Sequence, residues 1–130
     1  MTVVKIKALF PNDIKTVWNV VTSLDKYQWR SDLNKIEVLN KYQFIEYTKD
    51  GFATKFTVTA FEPYQRWEFD MENSNMKGHW SGSFKENHGQ TEIYFIENIT
   101  AKKLFMKPLV KLFLQKQQRQ YISDLQKALQ

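Results

Sequence analysis

Residues Trp67–Glu97, WEFDMENSNMKGHWSGSFKENHGQTEIYFIE, alternate rings with charged or polar residues along three runs separated by two polar turns. That period of two is the mark of β-strands with one buried face. Folding the stretch at MENSNMKG sets Glu72 against Lys77 and Asp70 against His79, with Met71, Phe69 and Trp67 opposite Gly78, Trp80 and Gly82. Folding it again at ENHGQT, with a four-residue loop, sets Lys85 against Glu92 and places Phe84 opposite Ile93, Gly82 opposite Phe95 and Trp80 opposite Glu97. Both registers sort opposite charges to one face and rings to the other, and each such pair is worth a few tenths to ~1 kcal/mol. Further upstream, Asp50-Gly51 is a dipeptide favoured in two-residue type I′ turns. That turn pairs Glu46 with Lys55 and places Ile45 opposite Phe56 and Tyr47 opposite Thr54.

The flanks complete the pattern. Val3 to Leu9 alternate as a strand, after which PNDIKTVWNVVTSL switches to the helical period, with Ile14, Val17, Trp18 and Val21 on one stripe and Pro11, Asn12 or Asp13 as the start. A second short helix is expected around Asp25 to Gln28. From Lys35 to Thr100 strands follow one another without a crossover helix, so the sheet is expected to be antiparallel. One long helix, from about Lys102 to Leu129, closes the chain. Its expected inward stripe is Met106, Leu109, Val110, Phe113, Tyr121, Leu125 and Ala128, with Lys103, Lys107, Lys111, Lys116, Arg119 and Lys127 outside. Gln117 interrupts the stripe, either as a group aimed at the interior or as a polar flank. Pro108 implies a kink or a late helix start.

Composition narrows the function classes. A chain of 130 residues fits one domain, 1–130. With no cysteine, neither a disulfide framework nor thiol chemistry is available. Of the two histidines, His79 is expected outside beside Asp70 and His88 lies in a turn, so no Ser-His-carboxylate or metal cluster forms around them and no metal is expected. No phosphate-binding glycine loop occurs. The formal charge of +5 favours acidic partners, yet the C-terminal cations are expected on an outer helix face from which Phe113 and Tyr121 are turned inward, which argues against nucleic acid. No run of ~18 apolar residues occurs, so stable membrane insertion is not expected and a cytoplasmic location is.

The expected inner face carries Val4, Ile6, Ile36, Val38, Ile45, Tyr47, Phe56 and Val58 from the earlier strands. Trp67, Phe69, Met71, Trp80, Phe84, Ile93 and Phe95 follow from the later ones, with Gly78 and Gly82 between the rings. Four Trp, six Tyr and ten Phe are more ring surface than a close-packed core of this length needs, and ligand pockets are lined in this way. The order of elements, with VWNVVTSLDKYQWRSDLNKIEVL, DGFATKFTVTAFEPYQRWEF and GHWSGSFKENHGQTEIYFIE, resembles the START-like, or birch-pollen-allergen-like, superfamily. Within it the resemblance is to the SRPBCC branch of polyketide cyclase/dehydrase and lipid-transport proteins. It spans nearly the whole chain. It implies an α+β helix-grip fold: a curved seven-stranded antiparallel sheet around a long C-terminal helix, two short helices after the first strand, and an apolar cavity. It also implies a ligand of the lipid, quinone or polyketide class, with chemistry in a minority of members.

The expected cavity wall comprises Trp29, Tyr47, Phe56, Val58, Trp67, Phe69, Met71, Trp80, Phe84, Phe95 and Glu97, and from the long helix Met106, Val110, Phe113 and Gln117. In YQWRSDLNKIEV, Trp29 is expected at the cavity entrance against Trp18 or the end of the long helix, with Arg30 and Asp32 in solvent; Arg30 as a receptor for an acidic ligand head is the alternative. Glu97 faces Trp80, where an isolated charge is desolvated, so it either reaches a cation or solvent, or serves as ligand acceptor or general acid/base. Three functions follow: binding of a small hydrophobic or amphipathic ligand without a cofactor, by a monomer or weak homodimer; a cyclase/dehydratase-like or hydrolase-like enzyme using Glu97 and Tyr47; or an interaction module for protein or membrane through the basic helix.

Overall fold

Seven strands form one antiparallel sheet in the order β1-β7-β6-β5-β4-β3-β2. They are β1 (Thr2–Phe10), β2 (Leu33–Val38), β3 (Gln43–Thr48), β4 (Ala53–Glu62), β5 (Arg66–Glu72), β6 (Met76–Asn87) and β7 (Gln90–Ala101), joined by helix α1 (Ile14–Thr22) and closed by helix α2 (Lys107–Ala128). The computed structural model describes residues 1–103 and 107–130, the latter without the side chain of Lys107. No helix among the described residues is long and apolar enough to cross a membrane. The antiparallel sheet and the long closing helix are the architecture expected from the sequence.

The two C-terminal hairpins have the expected registers, from Glu72↔Lys77 to Trp67↔Gly82 and from Lys85↔Glu92 to Trp80↔Glu97. The last turn is tighter than a four-residue loop. Asn87 pairs with Gln90, and His88 and Gly89 both take positive φ, 54° and 82°, as a two-residue primed turn requires.

The β3–β4 hairpin differs from expectation by one residue. Gly51 N–H donates to Thr48 O (2.9 Å), Thr48 N–H donates to Phe52 O (2.9 Å), and Gly51 sits at φ 86°. The loop therefore holds three residues, a turn followed by a left-handed glycine, and Phe52 N–H is held by the Thr48 hydroxyl at 3.0 Å. Phe44 pairs with Phe56, Ile45 with Lys55 and Glu46 with Thr54. Because side chains alternate, this slip exchanges the faces of β3: Phe44 and Glu46 point inward, and Ile45 and Tyr47 outward. Val38, expected inside, is 56% exposed at the end of edge strand β2.

Helix α1 buries Val17, Trp18 and Val21, and Trp18 packs edge-on against Phe84 with centroids 4.9 Å apart. No second helix follows. Ser23 Oγ donates to Asp25 (2.8 Å) and accepts from Lys26 N–H (3.1 Å), while Arg30 N–H donates to Tyr27 O (3.0 Å). Short polar side chains satisfy the backbone as turns there and compete with helix formation.

Helix α2 is described from Lys107, with Pro108 as its second described residue, and the expected kink or late start at Pro108 falls against residues outside the described ones. Its buried stripe is Leu114, Gln118, Ile122 and Leu125. The expected stripe was rotated in the first half: Leu109 and Phe113 are 68% and 62% exposed, and Ala128 is exposed as well. Met106 lies outside the described residues. The helix packs chiefly on β1, where buried Gln118 donates its amide to Val4 O at 3.3 Å. The contacts of the two helices therefore gather on β1, β6 and β7, and space remains between α2 and the strands on the other side.

Candidate functional site: a cavity between sheet and helix

That space is a cavity of about 620 Å³, within the ~300–1,000 Å³ typical of small-molecule sites. Its apolar wall is built by Phe56, Trp67, Phe69, Trp80 and Phe95. Phe69 and Trp80 stack with centroids 4.7 Å apart and planes within 5°, and Phe95 lies 4.8 Å from Trp80. Gly82 makes this arrangement possible, because a Cβ there would lie 2.4 Å from the far edge of the Trp80 ring. The rim comprises Ser23, Leu24 and Tyr27, the turn residues Thr48, Lys49 and Asp50, and Phe113, Lys116, Gln117 and Gln120 of α2.

A polar cluster lies on the same cavity. Arg30, with a side chain only 15% exposed, donates to Glu46 at 2.9 Å and to Asp32 at 3.0 Å, and its guanidinium lies 5.1 Å from the Tyr121 ring centroid. Burial opposes its charge, but Glu46 and then Asp32 outweigh burial and hold it protonated. Burial likewise keeps the Tyr121 phenol protonated. Trp29 meets Tyr121 edge-on at 5.2 Å, so it packs on α2 and not on Trp18. Buried Asp124 accepts from both Ser31 N–H (2.8 Å) and Ser31 Oγ (2.7 Å), fastening the loop that carries Arg30 to α2. Glu97 faces the cavity from β7, and burial pushes its carboxyl up to about 7, although Gln118 and Arg30 pull it down.

No family model and no curated protein matches the sequence. Solved structures do match the fold. A START superfamily protein from Mycobacterium smegmatis superposes with a TM-score of 0.88 at 12% identity, over 98% of this chain and 96% of that one. The fold is START-like. A conserved protein from Geobacillus kaustophilus gives 0.84 at 8% identity, over 98% and 95% of the two chains. The protein XoxI from Bacillus cereus gives 0.81 at 12%, over 99% and 96%.

The START-like fold brings Trp29, Phe56, Trp67, Phe69, Met71, Trp80, Phe95 and Glu97 onto the cavity, with Phe113 and Gln117 at its rim. Val58 and Val110 pack against the core, and Phe84 belongs to the core beside Trp18. Tyr47 does not reach the cavity. The one-residue slip puts it on the outer face, where its hydroxyl donates to Glu37 at 3.2 Å and Lys35 covers its ring at 4.7 Å. A Glu97–Tyr47 acid/base pair is therefore not assembled. Arg30 is not in solvent, and in place of Gln117, which is exposed, α2 buries Gln118, one residue further on, besides Asp124. Sequence reasoning missed Glu46 and Tyr121 as cavity residues; the phase of Tyr121 on the helix was the available signal, whereas Glu46 depended on the hairpin slip.

Glu97 makes stability depend on pH. Its carboxyl in the fold is raised from an ordinary 4.5 to about 7, so the folded state holds a proton that the unfolded chain releases. The stabilisation is full below about 4.5, is lost as pH rises towards 7, and stays lost above it. Glu97→Gln is expected to remove that slope and to be more stable than wild type at pH 8 by about 2 kcal/mol, partial solvent access included. Urea titrations between pH 5 and 8 measure this; parallel pH profiles for the two proteins would refute it.

Proposed function

We propose that the chain, as one ligand-binding domain spanning 1–130, binds a small apolar or amphipathic molecule between the sheet and α2 and carries or sequesters it. The observation that carries this reading is the ring-lined cavity of about 620 Å³ with a polar cluster on its wall. The cluster also argues for a ligand class. Arg30 is already engaged by Glu46 and Asp32, so a ligand carboxylate at the cluster would find that cation paired and would lie near other carboxylates, while Lys49 and Lys116 stand out at the rim. Glu97 and Gln118 favour an uncharged polar end, such as an alcohol, a ketone or a quinone carbonyl.

The test is titration with a neutral fluorescent probe, N-phenyl-1-naphthylamine, at pH 8. Saturable binding in the micromolar range with quenching of tryptophan emission is expected. Trp80→Ala and Phe56→Ala should weaken it at least fivefold, whereas Tyr47→Phe should leave it unchanged. A long-chain alcohol should displace the probe at least tenfold more effectively than the carboxylate of equal length. A folded protein that takes up no probe would end the binding reading, and equal displacement would end the neutral-ligand assignment.

A second reading rests on Glu97 alone, since a carboxyl titrating near neutrality suits proton transfer. It requires turnover of an ester, lactone or polyketide that Glu97→Gln abolishes while the circular dichroism spectrum is retained.

A further inference from the structure

We propose that the first turns of α2 form a docking surface for an anionic lipid bilayer. Leu109, Leu112 and Phe113 are 68%, 65% and 62% exposed. With Lys116 they fall at helical positions i, i+3, i+4 and i+7, which is one stripe. Leu114, Gln118, Ile122 and Leu125 form the buried stripe on the other side of the helix. The exposed leucines and phenylalanine are therefore not the edge of the core but a separate apolar ridge.

Along the chain, the segment that carries this ridge is one-signed, although its first lysine, Lys102, is paired with Glu72. From Lys102 to Ser123 the chain carries six Lys and Arg and no Asp or Glu, whereas the other residues hold thirteen cations against fourteen anions. The whole positive excess of the protein lies in the segment that carries the ridge. A second copy docked through the same surface would set like charges against one another. Nucleic acid would accept the cations but leave the leucines wet. A bilayer with anionic headgroups takes both, the ridge entering the headgroup boundary and the lysines resting on the phosphates.

Position adds a reason for such contact. Phe113 and Lys116 also line the cavity rim, together with Lys49 from the β3–β4 turn. A docked molecule would thus present the cavity mouth to the phase in which an apolar ligand dissolves. That purpose rests on the binding reading above; the docking itself does not.

Vesicle flotation of the full chain at 150 mM salt decides the matter, comparing phosphatidylcholine alone with a 7:3 mixture of phosphatidylcholine and phosphatidylglycerol. Binding to the anionic vesicles is expected to be at least tenfold tighter and to weaken with added salt. Leu109→Gln/Leu112→Gln should lower it roughly tenfold or more, and so should Lys103→Gln/Lys111→Gln. Lys5→Gln/Lys7→Gln, on the exposed face of β1, should change it less than twofold. None of these residues lines the cavity, so uptake of the neutral probe should persist in every variant, and a failure of vesicle binding is thereby separated from a failure of the ligand reading. Equal binding to both vesicle types, or no effect of the α2 substitutions, would overturn the proposal. A wild-type dimer that dissociates in Leu109→Gln/Leu112→Gln would also overturn it, by giving the ridge to a second copy.

Discussion

Arg30→Met is expected to destabilise the protein by about 3 kcal/mol at pH 7, near the lower end of what is lost when one partner of a buried ion pair is removed. The substitution keeps most of the side-chain volume and removes the cation that Glu46 meets at 2.9 Å and Asp32 at 3.0 Å. Glu46 has a side chain only 15% exposed and would be left as a carboxylate with little water, while Asp32, at 33%, recovers more of its hydration. The double substitution Arg30→Met/Glu46→Met removes both charges and should restore at least half of the loss, since an apolar pair can replace a buried ion pair at little cost. Urea midpoints at pH 7 for the wild type, the single variant and the double variant report both effects. A loss below about 1 kcal/mol would identify an ordinary solvated pair.

Gly78→Ala should cost about 3 kcal/mol, at the upper end for an overpacked interior, whereas Gly82→Ala should cost about half that and impair the cavity instead. Both glycines lie on the inner face of β6, yet their surroundings differ. A Cβ at Gly78 would stand 2.4 Å from the backbone oxygen of Asn98 and 2.5 Å from Ile99 Cδ1. That oxygen belongs to the neighbouring strand β7, so relief requires opening the sheet. At Gly82 the obstacle is the outer edge of the Trp80 ring at 2.4 Å, with Phe95 next at 3.1 Å. The Trp80 ring borders the cavity and can swing into it. The probe should therefore bind at least fivefold more weakly to Gly82→Ala, while the protein stays folded at 25 °C. Equal destabilisation by the two substitutions, with probe affinity unchanged in Gly82→Ala, would contradict this assignment.

How far each feature could be read from the sequence depended on how many constraints bore on it. In β5, β6 and β7, rings on one face and complementary charges on the other agree on a single register, and Trp80↔Glu97 follows from it. In β3 the residues Phe44, Ile45 and Tyr47 are all large and apolar or ring-bearing, so either face can be buried and the turn decides. Asp50-Gly51 supports a two-residue turn by itself, but the Thr48 side chain holds Phe52 N–H and favours three residues. Helix α2 has the same ambiguity in another form. Leu109, Leu112 and Phe113 compete with Val110 and Leu114 for the core, and only the position of β1 settles which stripe is covered. The Arg30 cluster was illegible for a related reason: its partner Glu46 faces inward only after the slip, and a salt bridge between residues so far apart leaves no periodic trace.

The sheet order has a consequence for how the chain is assembled during synthesis. Strands β2 to β7 are successive hairpins between neighbours, which can pair as each emerges. The strand made first pairs with the strand made last, Thr2 with Ile99 and Phe10 with Thr91. It must wait unpaired until nearly the whole sheet has been translated, and closing so long a loop is the least favoured step entropically. Helix α2 then docks on β1 and roofs the cavity. A nascent chain therefore displays a half-finished trough of aromatic rings, exposed to whatever apolar molecule or chaperone is nearby. It gains a complete sheet over that trough only when β1 and β7 have met.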